Sequence, residues 1–272
     1  MSQTYYQKQS MHKNMFIPFI VAGDPTPDAT IDLALSLQEV GADVIEIGIP
    51  YSDPLADGPV IQRAAARSLK NGTTLRSSLE LIGKMRKKGL KIPVVVFTYF
   101  NPVLQLGEES FFALAQENKV DGLLIPDLPF EESEDLRHAC RENGIEFISM
   151  VAPTSISRIE KIATGAQGFL YCVSSLGVTG VRESLNTEVY SFLTQVKRFS
   201  KVPVVVGFGI STDSQVEALK DHCEGIVIGS AIVNKIEMLE SRLLHEDTRK
   251  EALEEFSSYI GSIISPITRL GV

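Results

Sequence analysis

Two carboxylates, Glu46 and Asp57, lie eleven residues apart in VIEIGIPYSDPLADGP, Val44 to Pro59, and their settings differ sharply. Glu46 interrupts a short apolar run. Strand residues alternate faces, so Val44, Glu46 and Gly48 share one side and Ile45, Ile47 and Ile49 the other. A strand apolar on both sides belongs in a buried parallel sheet. A lone buried carboxylate costs several kcal/mol unless it is paired or protonated. No Lys or Arg lies between Asp28 and Gln62, so no local partner is visible. Apolar surroundings raise such a group's pKa, which lets it both donate and accept a proton. Asp57, between Ala56 and Gly58 in a loop rich in Pro and Gly, is expected to stay ionised. Two carboxylates with separated pKa values can divide acid and base work. Asp53 reads as a turn-capping residue of the same loop.

A second group of residues suggests an anion seat. SSLGVTG carries Gly177 and Gly180, GFGIS carries Gly207 and Gly209, and GSAIV carries Gly229 and Ser230. Each follows a β-branched run, and the last two precede helices. Glycine lets backbone approach a ligand closely, and helix N-termini offer unpaired N–H groups to a phosphate. Tyr171 ends another β-branched run, and its side chain points either inward, to orient substrate or a carboxylate, or outward into packing. His12, His138, His222 and His245 all fall away from strand ends, which leaves no metal site and no Ser-His-Asp scheme.

The elements that position these residues alternate regularly. Strand-like runs occur at Phe16–Val21, Asp43–Ile47, Ile92–Thr98, Gly122–Ile125, Ile145–Met150, Gly168–Cys172, Val202–Val206 and Gly225–Ile228. Between them lie amphipathic stretches at Asp28–Val40, Thr74–Lys88, Glu109–Asn118, Glu131–Asn143, Ser155–Thr164, Thr187–Phe199 and Thr212–Lys220. Gly41, Gly89 and Gly144 sit where helices should end. Eight βα units imply parallel strands and a (β/α)8 TIM barrel, a single domain over residues 1–272. An open doubly wound sheet would need a glycine fingerprint after the first strand, and AGDPTP is not one. Extra helices are expected before the first strand, around Tyr5–Lys13, and in a βα loop at Pro59–Lys70. KMRKKGLK, Lys84–Lys91, reads as a solvated helix end.

The bulk properties are those of an ordinary globular protein. A net charge of −8 and a pI near 5.2 argue against nucleic acid or an anionic membrane. Cys140, Cys172 and Cys223 form neither a disulfide framework nor a zinc ribbon. The polar start lacks a signal peptide's apolar core, and no apolar run approaches a membrane span, so a cytoplasmic location is expected.

The motifs resemble, in order, those of the tryptophan synthase alpha chain family. FIPFIVAGDP, IEIGIPYSDPLADGP, TYFNPV, GLLIPDLP, VAPTS, LGVTG, GFGIS and GSAIV carry the resemblance, over residues 14–265. It implies a lyase performing the retro-aldol cleavage of indole-3-glycerol phosphate to indole and glyceraldehyde 3-phosphate. Glu46 would then be the main acid/base, Asp57 would receive or stabilise the indole N–H proton, and Tyr171 would lie inside near Glu46. Phe19 and Leu124 would line the ring pocket, and Thr179, Gly180, Gly209, Gly229 and Ser230 would hold the phosphate. The resemblance also implies a beta chain partner in an alpha2beta2 heterotetramer. That partner would carry pyridoxal phosphate, while this chain needs no cofactor. Ser52–Pro59 and Phe100–Gly107 would face it, and the loops at Ser52–Gly58 and after Tyr171 would be lids. Ser175 replaces an arginine of some members. The alternatives are a non-catalytic subunit that activates the beta chain, and another phosphate-binding barrel lyase or isomerase.

Overall fold

The computed structural model describes residues 14–173, 187–207 and 209–268. The chain runs through β1 (Met15–Val21), α1 (Pro27–Val40), β2 (Ile45–Gly48), α2 (Pro59–Lys70), α3 (Leu75–Lys87) and β3 (Val94–Phe97). It continues with α4 (Phe100–Leu106), α5 (Glu108–Glu117), β4 (Gly122–Leu124), α6 (Glu134–Glu142), β5 (Glu146–Phe147) and β6 (Ser149–Val151). The last third holds α7 (Ile159–Gly165), β7 (Leu170–Val173), α8 (Thr187–Phe199), β8 (Val204–Gly207), α9 (Asp213–Leu219) and β9 (Gly225–Ile228). Three helices, α10 (Ser230–Met238), α11 (Glu240–Leu243) and α12 (Glu246–Ile264), follow.

All pairings are parallel, in the order β5-β4-β3-β2-β1-β9-β8-β7-β6. The two edge strands are consecutive pieces of one stretch, separated by Ile148. β5 pairs with β4 and β6 with β7, and the Ile148 N–H donates to the Leu123 carbonyl at 2.8 Å. The sheet therefore closes on itself as the expected (β/α)8 barrel. Its strands divide their side chains as pleating requires. Ile17, Phe19, Val95, Phe97, Leu124 and Tyr171 belong to an inner cluster. Ile45, Ile47, Val94, Val96, Leu170 and Val206 belong to an outer layer under the helices.

Local signals set several boundaries. Thr26 caps α1 by accepting from the Ala29 N–H, Pro27 opens the helix, and Gly41 ends it at a φ of 109°. Thr74 and Ser77 form a reciprocal capping box on α3, and Gly89 follows the helix at a φ of 112°. Two helices precede each of β3 and β4, so the extra helices in βα loops are present; the helix expected at Tyr5–Lys13 lies outside the described residues.

Three details depart from expectation. α4 starts at Phe100, in a segment assigned to no element from the sequence, and the Asp127 carboxylate beyond β4 accepts from the Phe100 N–H at 3.0 Å. A cap supplied from 27 residues away leaves no local trace. α12, buried through Ala252, Phe256, Ile260 and Ile263, packs on α1 after the eighth unit is complete. Within KMRKKGLK, Lys84, Lys87, Lys88 and Lys91 are exposed as expected, but Arg86 is a clamp. Its guanidinium donates to the carbonyls of Leu90, Ile92 and Lys119 and to Asp121, tying the entries of β3 and β4 together.

Candidate active site

Glu46 sits on the inner face of β2, two residues before the strand ends, in register with Phe19 on β1 and Val95 on β3. It is 1% exposed, and its Oε1 has no hydrogen-bond partner among the described residues. Among the described residues no cation offsets the burial, which pushes its pKa up to about 8. The strand that the sequence marks as buried on both faces thus delivers one carboxyl into the barrel, at the end where such barrels bind ligands.

Tyr171 resolves inward. It lies on β7, 4% exposed, in register with Met150 and Val205 and among the inner residues. Burial raises its hydroxyl pKa well above the ordinary value, and the charge of Glu46 adds to the shift. The two groups therefore share one desolvated interior. Gly207 on β8 makes room for the phenol: a Cβ there would collide with the Tyr171 hydroxyl.

The apolar wall is aromatic. Phe19 meets Phe97 edge to face, with centroids 5.5 Å apart, and Leu124, fully buried, is the β4 neighbour of Phe97. Gly48 faces the Phe19 ring so closely that a Cβ would overlap it. Gly48→Ala should therefore displace Phe19 and lower kcat/KM by about tenfold or more, since small misplacements in a site are costly. Steady-state kinetics of the folded variant check this.

Asp57, expected to stay ionised, is half-buried; burial pushes its pKa up, against a hydrogen bond with the Tyr99 hydroxyl that lowers it. Tyr99, which sequence reasoning passed over, is 2% exposed at the end of β3. Its hydroxyl accepts from the Ala56 N–H at 2.9 Å, and its ring stacks at 5.2 Å on Tyr51, whose own hydroxyl accepts from Asn101 at 3.1 Å. The Asp57 loop is thereby fastened to the start of α4. The available signal was position alone, an aromatic hydroxyl at a strand's C-terminal end. Asp53 is exposed, and its carboxylate accepts from the Ser52 hydroxyl at 2.9 Å.

The glycine groups are not equivalent. α9 begins at Asp213, as expected, and its N-terminus is closed by a Thr212–Gln215 capping box, with the Gln215 Oε1 also accepting from the Ser211 N–H at 2.8 Å. α10 begins at Ser230 with Gly229 as its N-cap and no side-chain cap. Among the described residues no side chain caps its first N–H groups, and the helix starts beside Phe19, whose Cβ would lie 3.6 Å from a Cβ on Gly229. Gly209, at a φ of 78°, is exposed nearby in sequence after β8. Thr179, Gly180 and Ser175 lie outside the described residues. No group of three or more His, Cys, Asp or Glu side chains that could hold a metal occurs among the described residues.

The family model for the tryptophan synthase alpha chain matches residues 5–261. The chain belongs to the tryptophan synthase alpha chain family. A relative from Geobacillus sp. (strain WCH70) is 64% identical over 261 residues, covering 96% of this chain and 99% of its own. Another, from Halalkalibacterium halodurans, is 57% identical over 93% of this chain and 96% of its own. The tryptophan synthase alpha2beta2 complex from Pyrococcus furiosus contains a similar chain, at 35% identity and a TM-score of 0.83. That match covers 94% of this chain and 100% of the other. The tryptophan synthase alpha subunit from Legionella pneumophila gives 33% identity and a TM-score of 0.82, over 93% and 92%. The tryptophan synthase alpha chain is a lyase of tryptophan biosynthesis, and its alpha reaction cleaves indole-3-glycerol phosphate. No described helix is long and apolar enough to cross a membrane.

Proposed function

We propose that Glu46 is the acid and base of the alpha reaction in this chain. The carrying observation is a carboxyl 1% exposed, with an unpartnered Oε1 and a pKa of about 8, aimed into an aromatic-walled barrel. At pH 7 it holds a proton. It gives that proton to C3 of the indole ring, which makes the ring an electron sink. The resulting carboxylate takes the proton from the hydroxyl on the adjacent glycerol carbon. The C–C bond then breaks: its electron pair returns to the indole, and the hydroxyl carbon leaves as the aldehyde of glyceraldehyde 3-phosphate. Asp57 stabilises or accepts the indole N–H proton, and Tyr171 orients Glu46 and substrate. Phe19 and Leu124 hold the ring. Ser230, Gly229 and Gly209, with Thr179 and Gly180, hold the phosphate.

A beta chain partner that carries pyridoxal phosphate, in an alpha2beta2 assembly in the cytoplasm, completes the reading; this chain supplies its own chemistry without a cofactor. Leu55 and Leu104, 87% and 55% exposed, sit on the two segments assigned to that contact. A purely activating subunit has no use for a buried unpaired carboxyl, so the catalytic reading is preferred. Indole release from indole-3-glycerol phosphate, with and without a beta chain, tests it: bound substrate with no indole in either case would refute it.

Tyr99→Phe removes the hydrogen bond that lowers the Asp57 pKa, so that pKa should rise. The acid limb of the kcat/KM profile is then expected to move to higher pH, and activity to fall about tenfold, as for a lost bond to a charged group. A profile superimposing on wild type would contradict the assignment of an ionised Asp57.

A further inference from the structure

Outside the reacting groups, the densest set of charged contacts reaching from the barrel mouth runs through Arg67 on α2. Asp24, three residues past β1 and 2% exposed, receives two bonds from its guanidinium, Nε to Oδ1 at 2.8 Å and Nη2 to Oδ2 at 3.0 Å. The third nitrogen, Nη1, donates to Glu237 on α10 at 2.7 Å. Arg63, one turn earlier on the same face of α2, donates both Nε and Nη2 to Glu237, at 2.9 and 2.7 Å. Ser68 and Asn71 of α2 also donate to the carbonyls of Ala22 and Pro25, so the far end of α2 is pinned to the loop after β1.

Each element in this chain of contacts carries one part of the site. β1 bears Phe19. α2 begins at Pro59, two residues after Asp57, and Gln62 in its first turn donates to the Asp57 carbonyl at 2.8 Å. α10 begins at Ser230, after Gly229, which lies against Phe19, and carries no side-chain cap among the described residues. The planar guanidinium can serve two carboxylates in fixed directions at once, which a lysine cannot. We propose that Arg67 and Glu237 are positioning residues that set the register between the phosphate seat at the start of α10 and the Asp57 loop at the start of α2. They touch no substrate. A rigid substrate held at its phosphate end and attacked at its ring end needs both seats at a fixed separation, and an error near 1 Å costs on the order of a hundredfold.

The inference rests on the function proposed above. Substituting Asp24, 2% exposed, would strip Arg67 of two of its bonds at a buried position and endanger folding, so the informative variant is Glu237→Ala. It removes the ionic tie from α10 to Arg63 and Arg67 while the two helices stay packed together, and it leaves the Asp24–Arg67 pair intact. Wild type and variant, each with the beta chain, are compared for kcat on indole-3-glycerol phosphate, for the Kd of glycerol 3-phosphate by calorimetry, and for melting temperature. The expected result is a kcat lowered about tenfold with the Kd and melting temperature nearly unchanged, because each seat survives and only their register is lost. Glu237→Gln, which keeps one acceptor for the two arginines, should recover part of the kcat. An unchanged kcat, or a lower kcat accompanied by a raised Kd and a lowered melting temperature, overturns the positioning role. An inactive wild type would instead overturn the function itself.

Discussion

Glu46→Gln should abolish indole release, lowering kcat by at least about a thousandfold while binding of glycerol 3-phosphate stays near wild type. General acid–base catalysis contributes roughly 10² to 10⁴ per step, and Glu46 serves in two successive proton transfers. Glutamine fills the same volume, so Phe19, Phe97 and Tyr171 keep their places, but the amide can neither donate a proton to carbon nor take one from a hydroxyl. In wild type, with the carboxyl pKa at about 8, kcat/KM should hold through neutral pH and decline above about 8, as the acid form needed for the first step is lost. Calorimetry with the phosphate ligand, beside indole detection across pH 6–10, checks both parts. A variant keeping a tenth of wild-type activity would sink the assignment.

Much of this was legible in the sequence because the information is local. The period-two alternation around Glu46 fixes which face it takes, and β-branched runs bounded by glycines fix eight strands; both survive in the observed register of Phe19, Glu46 and Val95. Capping residues such as Thr26 and Thr74 sit beside the helices they start. What escaped depends on partners brought together only by folding. α4 is capped by Asp127 from beyond the next strand, Asp57 is fastened by Tyr99 from the next strand, and Arg67 meets Glu237 across 170 residues. The inward setting of Tyr171 is of the same kind, since the space it fills is made by Gly207 on a neighbouring strand. The different fates of α9 and α10 follow the opposite logic: Thr212 and Gln215 stand three residues apart, a local pattern that the glycine-based reading passed over, and the box they form occupies the N-terminus of α9.

The same carboxyl that carries catalysis should weaken the fold at alkaline pH, and Glu46→Gln should remove that weakness. In the unfolded chain Glu46 ionises near 4.5; in the folded chain it does so at about 8. Between these values the native state holds a proton that the unfolded state has released, so stability falls as pH rises. It is fully present below about 4.5 and lost progressively up to about 8, above which this group contributes no further change. At about 1.4 kcal/mol per pH unit, the loss is roughly 3 kcal/mol at pH 7 and on the order of 4–5 kcal/mol at pH 9. Asp24, Asp57 and Asp121, whose pKa values burial also raises, slope in the same direction. Glu237, held at about 2 by Arg63 and Arg67, works at the other end: its contribution is present above 4.5 and lost as pH falls through 2. These terms are common to both proteins and cancel in the difference between them. Urea unfolding at pH 5, 7 and 9 should therefore find the two nearly equal at pH 5 and the inactive variant more stable by several kcal/mol at pH 9. Parallel stability curves would mean that Glu46 finds a charged or hydrogen-bonding partner in solution, and the raised pKa on which its acid role depends would fall with it. A protein that keeps such a group retains stability it could otherwise gain by one substitution, which is the expected cost of an acid held neutral for chemistry.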